Sequence, residues 1–369
     1  MYIYEHPDWP HLHWKNDSLI EMLATVRYRQ GRLIGQMEAL GFDLRQEAVF
    51  ETLTEDVLKT SDIEGERLDA DQVRSSVARH LGLDLGGLRH ADRRVEGIVE
   101  MMLDATGRHE EPLTGTRLHG WHESLFPSGR SGRRRIRVGG WRDDRTGPIQ
   151  VVSGPIGRER VHFEAPPAVR LAREMEAFLD WFNAPADTDE VVKAGVAHLW
   201  FVTLHPFDDG NGRMARAIAD MVLARSEGSS QRYYSMSSQI RQERADYYDV
   251  LERTQKGTTD ITAWLVWFLV CLGRAIENSR RTLATVHKKA RFWKRVADVP
   301  LNRRQRRVLD RLLGEFEGKL TTSKWAKLAK CSQDTALRDI TDLVRRGLLA
   351  RNPGGGRSTS YSLVETSTS

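Results

Sequence analysis

The sequence predicts a mainly α-helical protein, and three observations carry that prediction. Apolar residues recur every three to four positions along most of the chain, the pattern of helices that each turn one face to a core. The periodicity fails over 128–163, which is Gly- and Arg-rich and then carries two short β-prone runs, and again near the C-terminus. Two apolar helical segments, 191–204 and 217–223, bracket a polar loop dense in ionisable groups.

At 369 residues the chain can hold two or three domains with a sizeable core. A net charge of +5 and a pI near 9.2 suggest an anionic partner without identifying it. Cys271 and Cys331 lie far apart without metal-ligand spacing, which reads as reduced thiols in a cytosolic protein. Residues 1–14 show neither a basic n-region nor an apolar h-region, so no secretory signal is expected. The longest apolar run, 263–273, falls short of the ~20 residues that a bilayer crossing needs. The expectation is a soluble cytoplasmic protein with no membrane partner.

In chain order, 1–14 is an aromatic, Pro- and His-rich arm, whose His11 and His13 read as packing or surface groups. A helix is expected over 17–40, with Leu19, Leu23, Val26, Leu33 and Met37 on one face and Gly41 as its stop. Further helices are expected at 50–58, 73–80, 94–105 and 114–126. His119 and His122 on the last are i, i+3 but lack a third ligand, so packing is the reading. The runs 149–153 and 160–163 around Gly154-Pro155-Ile156-Gly157 predict a hairpin. Helices follow at 168–182, 191–204, 217–223, 239–253 and 261–278, then a basic connecting stretch broken at Pro300. Three short helices at 304–315, 322–328 and 333–346 and two strands at 348–351 and 361–363 surround Pro353-Gly354-Gly355-Gly356-Arg357. That order resembles a winged helix-turn-helix, with 333–343 as recognition helix and Thr335, Arg338 and Arg357 as groove and phosphate contacts. Asp334, Asp339 and Asp342 weaken the positive face, and a plain protein-interaction role stays open.

The loop His205-Pro206-Phe207-Asp208-Asp209-Gly210-Asn211-Gly212-Arg213-Met214-Ala215-Arg216 organises the rest. Pro206 belongs in a loop or a first helical turn. Gly210 and Gly212 let the backbone turn sharply and approach a ligand. The helix that begins near Asn211 offers unpaired N–H groups and a positive dipole end, and Arg213 and Arg216 lie i, i+3 on it, which together suit a phosphate.

This loop resembles the signature of the Fic (Fido) family, H-x-F-x-(D/E)-G-N-G-R-x-x-R, at every fixed position. The resemblance implies a Fic-type helical core at 106–285 with a β-hairpin flap around 147–164. An N-terminal helical extension at 1–105, a linker helix at 286–302 and a winged-helix domain at 303–369 complete the expected domains. It implies protein adenylyl transfer: AMP moves from ATP to a Tyr, Thr or Ser hydroxyl. In that reading His205 is the general base and Asp209 holds Mg²⁺. The Gly210-Asn211-Gly212 turn nests the phosphates, with the Asn211 side-chain amide on the α-phosphate, Arg213 on the β- and Arg216 on the γ-phosphate, and Phe207 anchors the loop. Thr60, Glu64 and Gly65 fit the family's inhibitory pattern (S/T)-x-x-x-E-(G/N), on a helix around 57–66, in which the glutamate takes the second arginine, here Arg216. Gln150, Val151, Val152, Ser153 and Gly154 match the flap's target- and nucleotide-facing edge. Tyr247, Tyr248 and Gln255 correspond to residues at the adenine and ribose site, with core packing as the equal alternative for the tyrosines.

The partners so implied are ATP with Mg²⁺ and a protein substrate, self-modification included; a homodimer and DNA binding through 303–369 stay open. Competing functions are transfer of UMP or another phosphate-linked group, removal of AMP with Glu64 aligning a water, and a DNA-bound regulator that modifies itself. Gly212 disfavours a kinase-like relative, which carries lysine there.

Overall fold

The computed structural model describes the chain except residues 84–89, 146, 155–157, 159, 186, 315, 317, 354–358 and 365–369, and the side chains of 280–282, 284, 285 and 287. It is mainly helical, with small antiparallel hairpins, and divides into two compact units, Met1–Thr282 and Leu283–Ser369.

In the first unit α1 (Ile20–Glu38), α2 (Phe42–Ile63), α3 (Ala70–His80), α4 (Arg93–Gly107) and α5 (Gly115–Leu125) precede two hairpins. The first hairpin, β1 (Arg130–Ser131) and β2 (Arg134–Arg135), is two residues a side and has no signal in the Arg-rich sequence. The second pairs β3 (Gln150–Ser153) with β4 (Arg160–Glu164), antiparallel, with a register shift between Val151 and Val152. Then come α6 (Ala168–Asn183), α7 (Glu190–Leu204), α8 (Asn211–Glu227), α9 (Met236–Gln242) and α10 (Arg244–Gln255), and α11 (Thr262–Arg295) begins in this unit and ends in the second.

At the centre lies α7. Its residues 191–204 are all buried, as a helix apolar on every side requires. Asp189 caps its start by accepting the Val191 N–H at 2.8 Å. Burying side chains such as Leu199 and Phe201 contributes roughly 1.5–3 kcal/mol each, which makes α7 the rigid rod from which the loop projects. The N-terminal arm packs Tyr2 and Tyr4 on Phe163 of β4 and Trp9 on Trp200 of α7. His13 spends its backbone on Thr259 and Ile261.

Several expected boundaries move. The helix expected at 50–58 starts at Phe42, because Gly41 opens α2 and the chain's apolar face continues back from there. The single helix expected at 239–253 breaks at Glu243, whose ψ of 29° leaves the helical region. That break lets Arg241 reach Asp62 at 2.7 Å and Arg244 reach the Ile63 carbonyl at 2.8 Å, both at the end of α2. The helix expected to end at 278 runs on to Arg295, so the connecting stretch is its continuation. Among the described residues no helix is long and apolar enough to cross a membrane.

The second unit packs α12 (Arg303–Leu313), α13 (Thr322–Ala329) and α14 (Gln333–Arg345) against a hairpin of β5 (Leu349–Arg351) and β6 (Tyr361–Leu363), with Leu320 bridging Tyr361. Trp325, Val308, Ile340 and Leu343 form its core. The expected wing glycines 354–356 and Arg357 lie outside the described residues. Asp339 does not dilute an outer face of α14 as expected, whereas the half-buried Asp342 pairs with Arg345 and Arg346 at the end of that helix. Asp339 is buried against Arg304 at 2.9 Å and Asn302 at 3.0 Å, and Asp342 accepts from Gln305 at 3.0 Å.

Candidate active site

The loop begins where α7 ends. His205 takes a left-handed backbone, φ 48° and ψ 55°, which stops the helix while its N–H still donates to the Phe201 carbonyl at 3.1 Å. Its ring lies 3.1 Å from the Val202 carbonyl through Nδ1. A carbonyl only accepts, so Nδ1 carries the proton and Nε2 carries the lone pair. Burial pushes the imidazole below its ordinary pKa; the Val202 carbonyl, Glu64 and Asp209 oppose that push, and Arg142 adds to it. The ring is therefore neutral near pH 7 and able to take a proton at Nε2.

Phe207 is fully buried, stacked on His122 at 4.2 Å and packed against Trp141 at 5.1 Å. It anchors the loop as expected of its position. Gly210 opens α8 with φ 83°, and a Cβ there would stand 2.9 Å from the Phe126 ring, so both the backbone angle and the space demand glycine. The buried Asn211 side chain accepts the Phe207 N–H at 3.0 Å and donates to the Phe207 carbonyl at 2.8 Å. With both of these bonds the Asn211 amide closes the loop on Phe207.

Asp209 is half-buried; it accepts the Gly210 N–H at 2.6 Å and the Ser131 hydroxyl, and its carbonyl receives His122 Nε2 at 3.2 Å. Mg²⁺ commonly takes one or two carboxylates and completes its shell with water and phosphate oxygens. One oriented carboxylate beside the N-terminus of α8 fits that donor set. Asp208, which had no assigned role, accepts the Arg137 N–H at 2.9 Å and holds the preceding segment.

Both signature arginines are buried and each meets a carboxylate from the end of α2. Arg216 donates to Glu64 at 2.7 Å, to the Thr60 hydroxyl at 2.8 Å and to the Thr60 carbonyl at 2.9 Å. Gly65, at φ 80°, turns the chain directly after Glu64. Gly212 leaves room for this contact, since a Cβ there would lie 2.3 Å from the Glu64 carboxylate. Arg213 donates to Glu66 at 2.8 Å and lies 5.2 Å over the Phe126 ring, while Glu66 also pairs with Arg94. Sequence reading missed Glu66: it lies two residues beyond the inhibitory pattern, with no spacing rule to flag it.

Of the residues expected around the adenine, two lie in the core. Tyr247 is 1% exposed and shares a 2.9 Å hydrogen bond with His198, and the buried Gln255 donates to Thr203 at 3.2 Å, so neither faces open space. Both sit on the inner face of α10, which packs on α7. Tyr248, half-buried under Arg244, stays beside the Ile63 carbonyl at the end of α2. On the β3–β4 hairpin, where the flap is expected, Gln150 donates to Glu164 at 2.8 Å, Val151 is half-buried, Val152 is exposed, Ser153 bonds His162 at 2.6 Å and Gly154 turns at φ 103°. His162 and Arg160 reach Glu252 at 2.5 and 3.0 Å, which ties β4 to α10.

Comparison with known proteins agrees with this architecture. Residues 112–223 match the model of the Fic/DOC family, and residues 2–83 match a Domain of unknown function (DUF4172). Protein adenylyltransferase Fic of Nematostella vectensis is 33% identical over 115 residues, covering 30% of this chain and 25% of that protein. Protein adenylyltransferase fic-1 of Caenorhabditis elegans is 36% identical over 58 residues, 15% of this chain and 11% of that one. The chain thus spans a quarter or less of the length of these curated relatives. A Fic family protein from Desulfovibrio desulfuricans G20 superposes with a TM-score of 0.53 at 20% identity, covering 95% of this chain and 97% of that one. A Fic domain containing signaling protein from Bacteroides thetaiotaomicron VPI-5482 gives 0.53 at 19% identity, covering 70% and 97%. At such identities the likeness is one of fold. Residues 112–223 of this chain are thus similar to the Fic/DOC family.

Proposed function

We propose that the chain is a protein adenylyltransferase that moves AMP from ATP to a hydroxyl side chain of a protein. The observation that carries this reading is the ring of His205 at the end of α7, locked through Nδ1 and with no hydrogen bond at Nε2 among the described residues, in the loop that leads into a helix with two buried arginines. Nε2 takes the proton of an attacking Tyr, Thr or Ser hydroxyl; the oxygen bonds to the α-phosphorus, and the bond to the β-phosphate bridging oxygen breaks, releasing pyrophosphate. The protein contributes mainly position and charge: the N–H groups of Gly212 and its neighbours for the α-phosphate, Arg213 and Arg216 for the β- and γ-phosphates. Mg²⁺ held by Asp209 would neutralise charge between the α- and β-phosphates. Glu64 on Arg216 occupies the donors that the γ-phosphate needs, so the described state is an inhibited one.

The test is mass spectrometry of the protein and of candidate targets after incubation with Mg²⁺ and ATP, beside His205→Ala and Glu64→Gly. An added adenylyl group on a hydroxyl residue, lost in His205→Ala, supports the reading; equal labelling by His205→Ala refutes the base. Parallel incubations with other α-labelled nucleotides decide which group is carried.

A second, compatible reading has one observation of its own. Residues 283–369 hold 19 Lys and Arg against 8 Asp and Glu, whereas residues 1–282 hold 37 against 43. So lopsided a distribution suits duplex DNA on the second unit. DNA retention by the full chain that weakens steeply with salt, and weakens further in Arg338→Ala, supports it; salt-independent or absent retention refutes it.

A further inference from the structure

Arg142 does work that the reaction described above does not yet include. It lies between β2 and β3 in a segment without regular structure, yet its side chain is 0% exposed. A buried guanidinium must find partners for its whole donor fork, and here each partner lies on a different segment. Nε donates to the carbonyl of His205 at 2.7 Å, and the backbone N–H of Arg142 donates to the carbonyl of Pro206 at 2.9 Å. One terminal nitrogen donates to the Pro166 carbonyl at 2.5 Å, where the chain leaves the β3–β4 hairpin. The other reaches Asp144 at 2.8 Å, and the second oxygen of Asp144 accepts the Ala168 N–H at 2.6 Å at the start of α6.

The grip falls on the residue that needs it. His205 is a non-glycine residue in the left-handed region, a state that L side chains avoid unless their surroundings impose it. Its N–H is fixed by Phe201 and its ring by Val202, both on α7. Its carbonyl has turned away from the helix, and Arg142 is what receives it. With both peptide units around His205 tied, the imidazole has one direction in which to present Nε2. A lysine could meet one of these carbonyls but not the fork of three partners.

We infer that Arg142 is the positioning residue of the active site, holding the backbone of His205 and Pro206 in register with the exit of the flap hairpin so that Nε2 faces the acceptor hydroxyl. The inference rests on the adenylyl-transfer reading for the identity of that hydroxyl, but the geometry of the ring stands apart from it.

Arg142→Gln and Arg142→Lys, made in the Glu64→Gly background of the full chain, test it. The expected result for Arg142→Gln is a loss of about a hundredfold in kcat, as for a misplacement of the base by about 1 Å, with KM for ATP within about twofold, since no atom of Arg142 is placed on the nucleotide. Arg142→Lys, which keeps the charge and one donor, should recover part of the loss. The second readout needs no turnover: in the parent the Nδ1–H proton of His205, bonded to Val202, should give a slowly exchanging NMR signal, and Arg142→Gln should broaden or remove it. A folded Arg142→Gln with parental kcat, or with the proton signal unchanged, overturns the inference. Equal losses in kcat and in affinity for ATP overturn it too, since they mark general loosening. Should Arg142→Gln not fold, the same criteria apply to Arg142→Lys. Absence of labelling by the parent with any nucleotide would sink the adenylyl-transfer reading instead, and the proton signal would still decide the position of the ring.

Discussion

The two carboxylates at the end of α2 should hold activity down by different amounts, and the structure says which holds more. Glu64 meets Arg216 at 2.7 Å, with the arginine side chain 2% exposed and the glutamate 31% exposed. Hydrogen bonds between charged groups are worth about 1.5–3 kcal/mol; partial exposure of Glu64 argues for the lower part of that range, or about ten- to thirtyfold. An ATP molecule that needs Arg216 is weakened by the fraction of time the arginine is free, so Glu64→Gly should raise the labelling rate at subsaturating ATP by that factor. Glu66 meets Arg213 at 2.8 Å and is less exposed, but it also pairs with Arg94 and so keeps a partner when a phosphate displaces it. Its release should be easier, and Glu66→Ala should gain only about three- to tenfold. The carboxylates are two residues apart and their arginines three apart, so their effects should couple rather than add. The assay is the initial rate of incorporation from α-labelled ATP at fixed Mg²⁺, with ATP affinity measured separately by calorimetry. A wild-type rate and affinity in Glu64→Gly would refute the reasoning for both residues, and a larger gain from Glu66→Ala than from Glu64→Gly would refute the ranking.

The remaining predictions concern protons and the cation. Because burial lowers the pKa of His205, the acidic limb of the labelling rate should fall below the ordinary histidine value of 6.5, and Glu64→Gly, which removes a carboxylate that opposes the lowering, should move it lower still; a limb above 6.5 would contradict this. His122 is held at about 4 and His198 at about 3 by burial. Their folded values lie below their unfolded ones, so their stabilisation is complete above pH 6.5 and is lost as pH falls toward 4. For His122 alone the loss at pH 5 is about 2 kcal/mol, and an unfolding midpoint that stays level between pH 7 and pH 5 would count against it. Ser131→Ala removes the hydroxyl that orients Asp209 and should raise the Mg²⁺ concentration for half-maximal labelling at least about tenfold, as loss of such outer partners does elsewhere; an unchanged requirement would place the cation away from Asp209.

Residues 205–216 could be read from sequence because their chemistry is local. The two glycines, the helix start and the i, i+3 arginines all lie within this one short stretch, and the hydrophobic period of 191–204 announces the buried rod that carries them. Helix ends were less legible where tertiary contacts set them. Nothing in 239–253 says that the helix breaks at Glu243, because the break serves contacts of Arg241 and Arg244 with the end of α2. Tyr247 and Gln255 share a polar, aromatic stretch with Tyr248, and only the packing of α10 on α7 tells the inner face from the outer.

What the sequence hides is the set of partners that give those groups their state. Glu66 lies 147 positions from Arg213, and Arg142 lies 63 from His205. No periodicity spans such separations, and a lone glutamate or arginine in an irregular segment carries no pattern. Yet these distant residues are what the two buried arginines and the His205 backbone bond to. An arginine left bare in the interior would be costly, and Glu64 and Glu66 meet that demand in the described structure. Under the proposed function a phosphate chain of like charge would take over from them, and charge balance in the resting fold and competition with the substrate would be one interaction seen in two states. A variant that relieves inhibition by removing both carboxylates should therefore be less stable than the parent until nucleotide is added, and the stability regained with ATP should exceed that gained by the parent. If the double variant is as stable as the parent without ATP, the arginines do not depend on these carboxylates, and the link between folding and inhibition fails.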